Sequence, residues 1–175
     1  MIFKFKQFSI DQTNSPFKVG TDGVLAGALC PVNAPKNILD IGTGTGLIAL
    51  MLAQRCNAKI DAIEINQIAF NQAKHNFKNS PWVNKINVHH CALQNYNPGK
   101  KYAVIISNPP YFQSSLKSDV ESKNKARHTD SLTPTELVRI SAGLLSSTGK
   151  LCLIYPVEQG EKTIALAKEQ GMYCT

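Results

Sequence analysis

Ile38-Leu39-Asp40-Ile41-Gly42-Thr43-Gly44-Thr45-Gly46-Leu47 decides the fold: a short apolar run, an aspartate within it, then glycines on alternate residues. The apolar run reads as a buried strand, and Leu47 to about Cys56 as the helix that follows. Glycines at such a junction let the backbone approach a ligand closely, and the helix N-terminus offers unpaired N–H groups. A dinucleotide fingerprint needs G-x-G-x-x-G/A, and counting from Gly42 puts Leu47 in the last place. Asp40 would also repel a pyrophosphate, whereas it suits a ligand carrying an ammonium group. The loop therefore reads as a cofactor site of another kind.

The same strand-then-helix rhythm extends outward. Lys59 to Ile65, Lys85 to His90, Tyr102 to Ser107 and Lys150 to Tyr155 are predicted strands. Asn66 is the predicted cap of a helix reaching about Lys78. Thr133-Pro134-Thr135-Glu136 predicts a helix start with proline at the first position and glutamate closing a capping box, the helix running to about Leu145. Glu158 to Gln170 is the last predicted helix. Upstream, Ile2 to Lys6 alternates as a short strand, a polar turn runs from Asp11 to Pro16, and Thr21 caps a helix to Leu29. Alternating strands and helices imply an α/β fold with a mostly parallel sheet covered on both faces. In the order 3-2-1-4-5, ligands bind where the order reverses, beyond the first and fourth strands.

The fourth strand ends in Asn108-Pro109-Pro110-Tyr111, so a second motif falls at that same place. Proline cannot donate to a sheet ladder, and the residue before it is pushed out of the helical region. The strand must stop at Ser107, with Asn108 held extended and the following carbonyls restrained. Rigid acceptors beside a planar ring suit a flat substrate bearing an amine. Glu64, at the end of the second strand, can accept hydrogen bonds from both hydroxyls of a ribose.

Composition bounds the remaining choices. The chain has 175 residues, 43% hydrophobic and 18% charged, enough for one globular domain with a real core. A net charge of +7 suits a polyanionic partner without identifying it. Cys30, Cys56, Cys91, Cys152 and Cys174 are scattered, show no metal-ligand spacing, and read as small buried hydrophobes. Met1 to Ile10 interleaves Phe and Lys and does not read as a leader, and no stretch is apolar enough to span a bilayer. His75, His89 and His90 read as structural, and Trp82 as a partly buried anchor.

The D-x-G-x-G-x-G loop with Glu64 resembles the class I S-adenosylmethionine-dependent methyltransferases, and Asn-Pro-Pro-Tyr resembles those that methylate amino groups. Phe17-Lys18-Val19-Gly20-Thr21-Asp22-Gly23-Val24-Leu25 and Ala126-Arg127-His128-Thr129-Asp130-Ser131-Leu132 are similar to stretches of the bacterial tRNA1(Val) (adenine-N6)-methyltransferase family. The resemblance covers nearly the whole chain. It implies a Rossmann-like sheet, S-adenosylmethionine as cofactor, tRNA as partner, a cytoplasmic setting, no metal, and a monomer at full length. It implies that Asp40, Gly42 and Gly44 line the methionine end of the cofactor, with Lys18 and Thr21 on its carboxylate side and Glu64 on the ribose. Relatives usually place an acid after the third strand, where this chain has Cys91-Ala92. A thiol accepts weakly, so the backbone N–H of Ala92 is expected to meet the adenine ring. Asn108, Pro109, Pro110 and Tyr111 are the implied catalytic residues, with Asn108 also in contact with the cofactor and Tyr111 stacking on the target base. Phe112 flanks that base or packs in the core. Lys123, Lys125, Arg127 and His128 are expected on the RNA phosphates.

Residues 1–35 are expected to be an N-terminal strand and helix extension of a single methyltransferase domain, with 36–175 its core. The antiparallel strands that usually close this sheet are expected to be missing after Gln170. Two other readings stand beside this one, a glutamine-N5 protein methyltransferase and a non-catalytic RNA-binding remnant.

Overall fold

The computed structural model describes residues 1–110 and 132–175. Strands β1 (Ile2–Lys4) and β2 (Ser9–Asp11) form an antiparallel hairpin with Ile2 opposite Asp11. Helix α1 (Thr21–Leu29) follows. Strands and helices then run β3 (Asn37–Ile41), α2 (Leu47–Arg55), β4 (Lys59–Glu64), α3 (Gln67–Lys78), β5 (Ile86–His90), β6 (Tyr102–Ser107), α4 (Pro134–Leu144), β7 (Leu145–Leu153) and α5 (Val157–Glu169). The sheet order is β5-β4-β3-β6-β7 with every pair parallel, which is the predicted 3-2-1-4-5 arrangement.

Two helix starts follow from local chemistry. The Asn66 side chain accepts from the N–H groups of Ile68 and Ala69, both at 3.0 Å. Thr133 and Glu136 form a reciprocal capping box, with Pro134 opening α4. Such caps satisfy donors that the helix itself cannot, and each is worth about 1 kcal/mol.

The sheet's two faces carry separate cores because successive side chains in a strand alternate. Ile38, Ile60, Val104 and Ile106 pack with α2 and Phe77 of α3. Leu39, Ile41, Ile63 and Ile105 pack with Leu137 of α4. Helix α2 is buried at Leu47, Ile48, Ala49, Leu50, Leu52 and Ala53 because it lies between the sheet and α1, and only Gln54 and Arg55 at its C-terminal end are exposed. The two helices approach closely at Gly27, where a Cβ would lie 2.7 Å from the Met51 sulfur.

Between β5 and β6 the connection holds only a short 3-10 turn, Leu93–Asn95. The adjacent sheet face bears a buried carboxylate, Asp61, which accepts from Lys100 Nζ and Tyr102 Oη, both at 2.6 Å. Burial pushes its pKa up, but the bonds from Lys100 and Tyr102 outweigh that and hold it below the usual carboxylate value.

Several boundaries differ from those expected of the sequence. The strand Ser9–Asp11 adds to the expected polar turn, and Phe5 N–H donating to Phe8 O (2.9 Å) closes the hairpin. Thr21 is the first residue of α1 rather than its cap; Gly20 takes the cap position with no side-chain bond. Strand β7 begins at Leu145 instead of Lys150 because Leu145 already pairs with Tyr102, and a register shift precedes the Val104–Lys150 pair. All five cysteines are free, but only Cys30 is buried, while Cys56, Cys91 and Cys152 are half-buried and Cys174 is exposed. Trp82 is half-buried and meets Phe8 edge to face. Among the described residues, no helix is long and apolar enough to cross a membrane.

Candidate active site

Register brings the two sequence motifs together. Ile41 pairs with Ser107, so the glycine loop and Asn108 leave adjacent strands at the same level. Ser107 Oγ donates to Ile41 O (2.8 Å) and seals the join.

The loop folds back on β4. The N–H groups of Gly42 and Thr43 both donate to Ile63 O, at 2.9 and 3.0 Å. Gly46 stands at φ +85°, and a Cβ there would come within 2.4 Å of the Phe77 ring. Strain and clash act together at this residue, so Gly46→Ala should lower stability by about 2–3 kcal/mol, measured by urea unfolding. A drop of only about 1 kcal/mol would show that Phe77 yields freely and leaves only the backbone strain. Gly42 also has positive φ, but the space beside it is open, as a ligand's approach requires.

Both carboxylates of the site are buried, in different ways. Glu64 Oε2 accepts from Gly44 N–H and Oε1 from Asn66 N–H, each at 2.9 Å, so this side chain ties the loop to the end of β4. Asp40 Oδ2 accepts from Thr43 Oγ1 (2.7 Å) and Ala49 N–H (3.2 Å), while Oδ1 has no partner. Burial pushes the Asp40 pKa up to about 7; the bonds from Thr43 and Ala49 work against that, and nearby Glu64 adds to it.

Around these groups stand residues of the N-terminal segment. Phe17 lies over Gly44, whose Cβ position is 3.7 Å from the Phe17 side chain. Lys18 Nζ donates to Gln12 O at 2.7 Å, so its charge is held on the N-terminal strap. Thr21 is exposed at the start of α1, and in the first turn Gly23 faces the Asn108 amide, 3.9 Å from a Cβ position. Asn108 and Pro109 are half-buried and Pro110 exposed. At the end of β5, Cys91 N–H donates to Glu64 O (3.1 Å), and burial pushes the Cys91 thiol pKa up, keeping it neutral. Ala92 follows at the head of the 3-10 turn. Tyr111, Phe112, Lys123, Lys125, Arg127 and His128 lie outside the described residues.

Two features are not anticipated by the sequence motifs. Ile65, directly after Glu64, is 49% exposed, an apolar surface beside the strand-end acid. Gln72 and Asn76 are buried on the inner face of α3 with Ala69, Ala73 and Phe77. Their signal in the sequence is polar amides occupying an i, i+3, i+4, i+7 apolar stripe. Among the described residues, no group of three or more His, Cys, Asp or Glu is gathered to hold a metal.

The arrangement sets the glycine loop and two buried carboxylates on one side and the Asn108–Pro109 segment, with its amide and carbonyl groups, on the other. A family model described as methyltransferase small domain matches residues 20–173. The tRNA1(Val) (adenine(37)-N6)-methyltransferase of Parabacteroides distasonis is 47% identical over 172 residues, covering 97% of this chain and 73% of that protein. The protein of the same name from Flavobacterium psychrophilum is 46% identical over 176 residues, covering 98% and 75%. The chain thus spans about three quarters of the length of these relatives. Among solved structures, an S-adenosylmethionine-dependent O-methyltransferase from Thermotoga maritima superposes with a TM-score of 0.64 at 15% identity, over 87% of this chain and 51% of that one. That likeness concerns the fold.

Proposed function

The chain belongs to the methyltransferase small domain family, and on that premise we propose that it transfers a methyl group from S-adenosylmethionine to N6 of an adenosine in tRNA, the one beside the anticodon of tRNA1(Val). The observation that carries this reading is the Ile41–Ser107 register, which sets the cofactor loop beside Asn108 and Pro109. A cofactor with a cationic end fits the donor set: Asp40 has an unpartnered buried oxygen, and Gly42 lines open space. Asp40, Gly42 and Gly44 would hold its methionine end, Lys18 and Thr21 its carboxylate side, Glu64 its ribose and Ala92 its adenine, with Asn108 at the reacting end. When bound, it supplies an electrophilic methyl group.

The chain's own residues do the rest. The lone pair of an exocyclic adenine amine is delocalised into the ring, which makes it a weak nucleophile. The Asn108 side-chain oxygen and the Pro109 carbonyl can each accept one amine hydrogen, which favours a pyramidal nitrogen with its lone pair free. Pro110 keeps this segment extended, and orientation of the reactants is worth up to about 7–11 kcal/mol. Tyr111 would stack on the extruded base, an interaction worth about 1–3 kcal/mol, and Phe112 would flank it. Residues 1–175 would act as one domain in the cytoplasm, with tRNA as partner.

Incubation with labelled S-adenosylmethionine and a tRNA pool, followed by digestion to nucleosides, tests the reading. Label in N6-methyladenosine supports it; label confined to protein, or no transfer, overturns it. For the RNA side, replacing Lys123, Lys125 and Arg127 together by alanine should weaken tRNA binding. The slope of log affinity against log salt should fall by about 0.7–0.9 for each phosphate that is no longer neutralised. An unchanged slope would assign the basic footprint elsewhere.

A further inference from the structure

Asn76 is 3% exposed, and a buried primary amide is tolerated only when its hydrogen-bonding groups are matched. Here they are matched by two distant segments. Nδ2 donates to Thr45 O of the glycine loop (2.8 Å) and to Asp11 O of the hairpin (2.9 Å), while Oδ1 accepts from Asp11 N–H (3.0 Å). One turn earlier on α3, Gln72 Oε1 accepts from Asn14 N–H (3.3 Å). The path continues through Gln12, itself buried: its Oε1 accepts from Val19 N–H (2.8 Å) and its carbonyl from Lys18 Nζ (2.7 Å). Those bonds deliver Phe17 back over Gly44 of the same glycine loop. The circuit is closed, running from Thr45 through Asn76, Asp11, Gln12 and Val19 to Phe17 and Gly44.

We propose that Asn76 is a positioning residue for the cofactor, fastening residues 11–19 to the glycine loop so that Phe17 to Gly20 form a fixed wall of the binding site. The inference rests on the reading of this site as one for S-adenosylmethionine. Asn76 touches neither cofactor nor substrate in this scheme. It acts by sparing the cofactor the ordering of a free strap, since rigid binding surfaces lose less entropy on association. An isolated structural amide would stabilise the chain without changing affinity. An amide inside this circuit must change affinity as well.

Calorimetric titration with S-adenosylmethionine, paired with amide exchange over residues 11–20, separates these cases. Asn76→Ala should weaken cofactor binding by about ten- to thirtyfold, the effect of removing a few buried hydrogen bonds from an ordered wall. Exchange over 11–20 should quicken in the free variant and slow again when cofactor is added, with kcat at saturating cofactor within about twofold of the parent. Gln12→Ala cuts the same circuit without touching α3, so it carries the test if Asn76→Ala does not fold, and it should weaken binding to the same degree. Ile86→Ala, a core truncation on β5, is the control for reduced stability and should leave affinity within about twofold. Affinity equal to the parent's in a folded Asn76→Ala or Gln12→Ala chain overturns the inference and leaves the cofactor reading standing. An equal weakening in Ile86→Ala also overturns it, since any drop in stability would then suffice. A parent chain that binds no cofactor overturns both.

Discussion

Replacing Asn108 by alanine should lower methyl transfer by roughly thirtyfold to a thousandfold while leaving cofactor affinity within about threefold. The range corresponds to removing one positioned acceptor from a dry site, about 2–4 kcal/mol in the barrier. The affinity should hold because the glycine loop is built without Asn108: Ile63 O, Glu64 and Asp40 carry its hydrogen bonds. Packing should hold as well, since Asn108 is only half-buried and its strand is pinned by Ser107 Oγ on Ile41 O. Single-turnover transfer measured beside calorimetric binding checks both halves. Collapse of affinity with normal turnover by the loaded enzyme would reverse the assignment, leaving Asn108 a residue that serves cofactor binding alone.

The second large effect is one of pH. Burial raises the Asp40 pKa from its ordinary 3.8 to about 7. Between about pH 4 and pH 7 the folded chain therefore keeps a proton that the unfolded chain releases. Stability must fall as pH rises through that window and level off above it, with the rise in pKa worth on the order of 4 kcal/mol. Asp40→Asn removes the titration and should flatten this part of the curve. Urea unfolding at intervals from pH 4.5 to 8 reads the difference between the two slopes. Equal slopes in parent and variant would mean that Asp40 is already ionised when folded. The same proton bears on binding: a cationic ligand favours the ionised carboxylate, so cofactor affinity should climb with pH up to about 7.

What the sequence determined by itself is the part ruled by short-range chemistry. Tyr102–Ser107 ends where a proline pair forbids a further ladder, the capping box at Thr133 and the cap at Asn66 stand where their donors need them, and the alternating glycines mark the loop. The parallel order also followed, because right-handed crossovers between buried strands leave few arrangements. Tertiary structure decided whatever depends on partners distant in the chain. Strand β2 exists because β1 pairs with it, and β7 starts early because Tyr102 offers Leu145 a partner before the register shifts. The character of Asp40 lay beyond the sequence too, since an aspartate near a cofactor loop reads as a charge and only the surrounding core brings its pKa near neutrality. Asn76 and Gln12 are the clearest case. Their residue types imply only polar side chains, and their role appears when segments 65 and 7 residues away in sequence close around them. Hydrogen-bond matching of buried amides is a property of the assembled interior, and no local pattern encodes which backbone groups will arrive there.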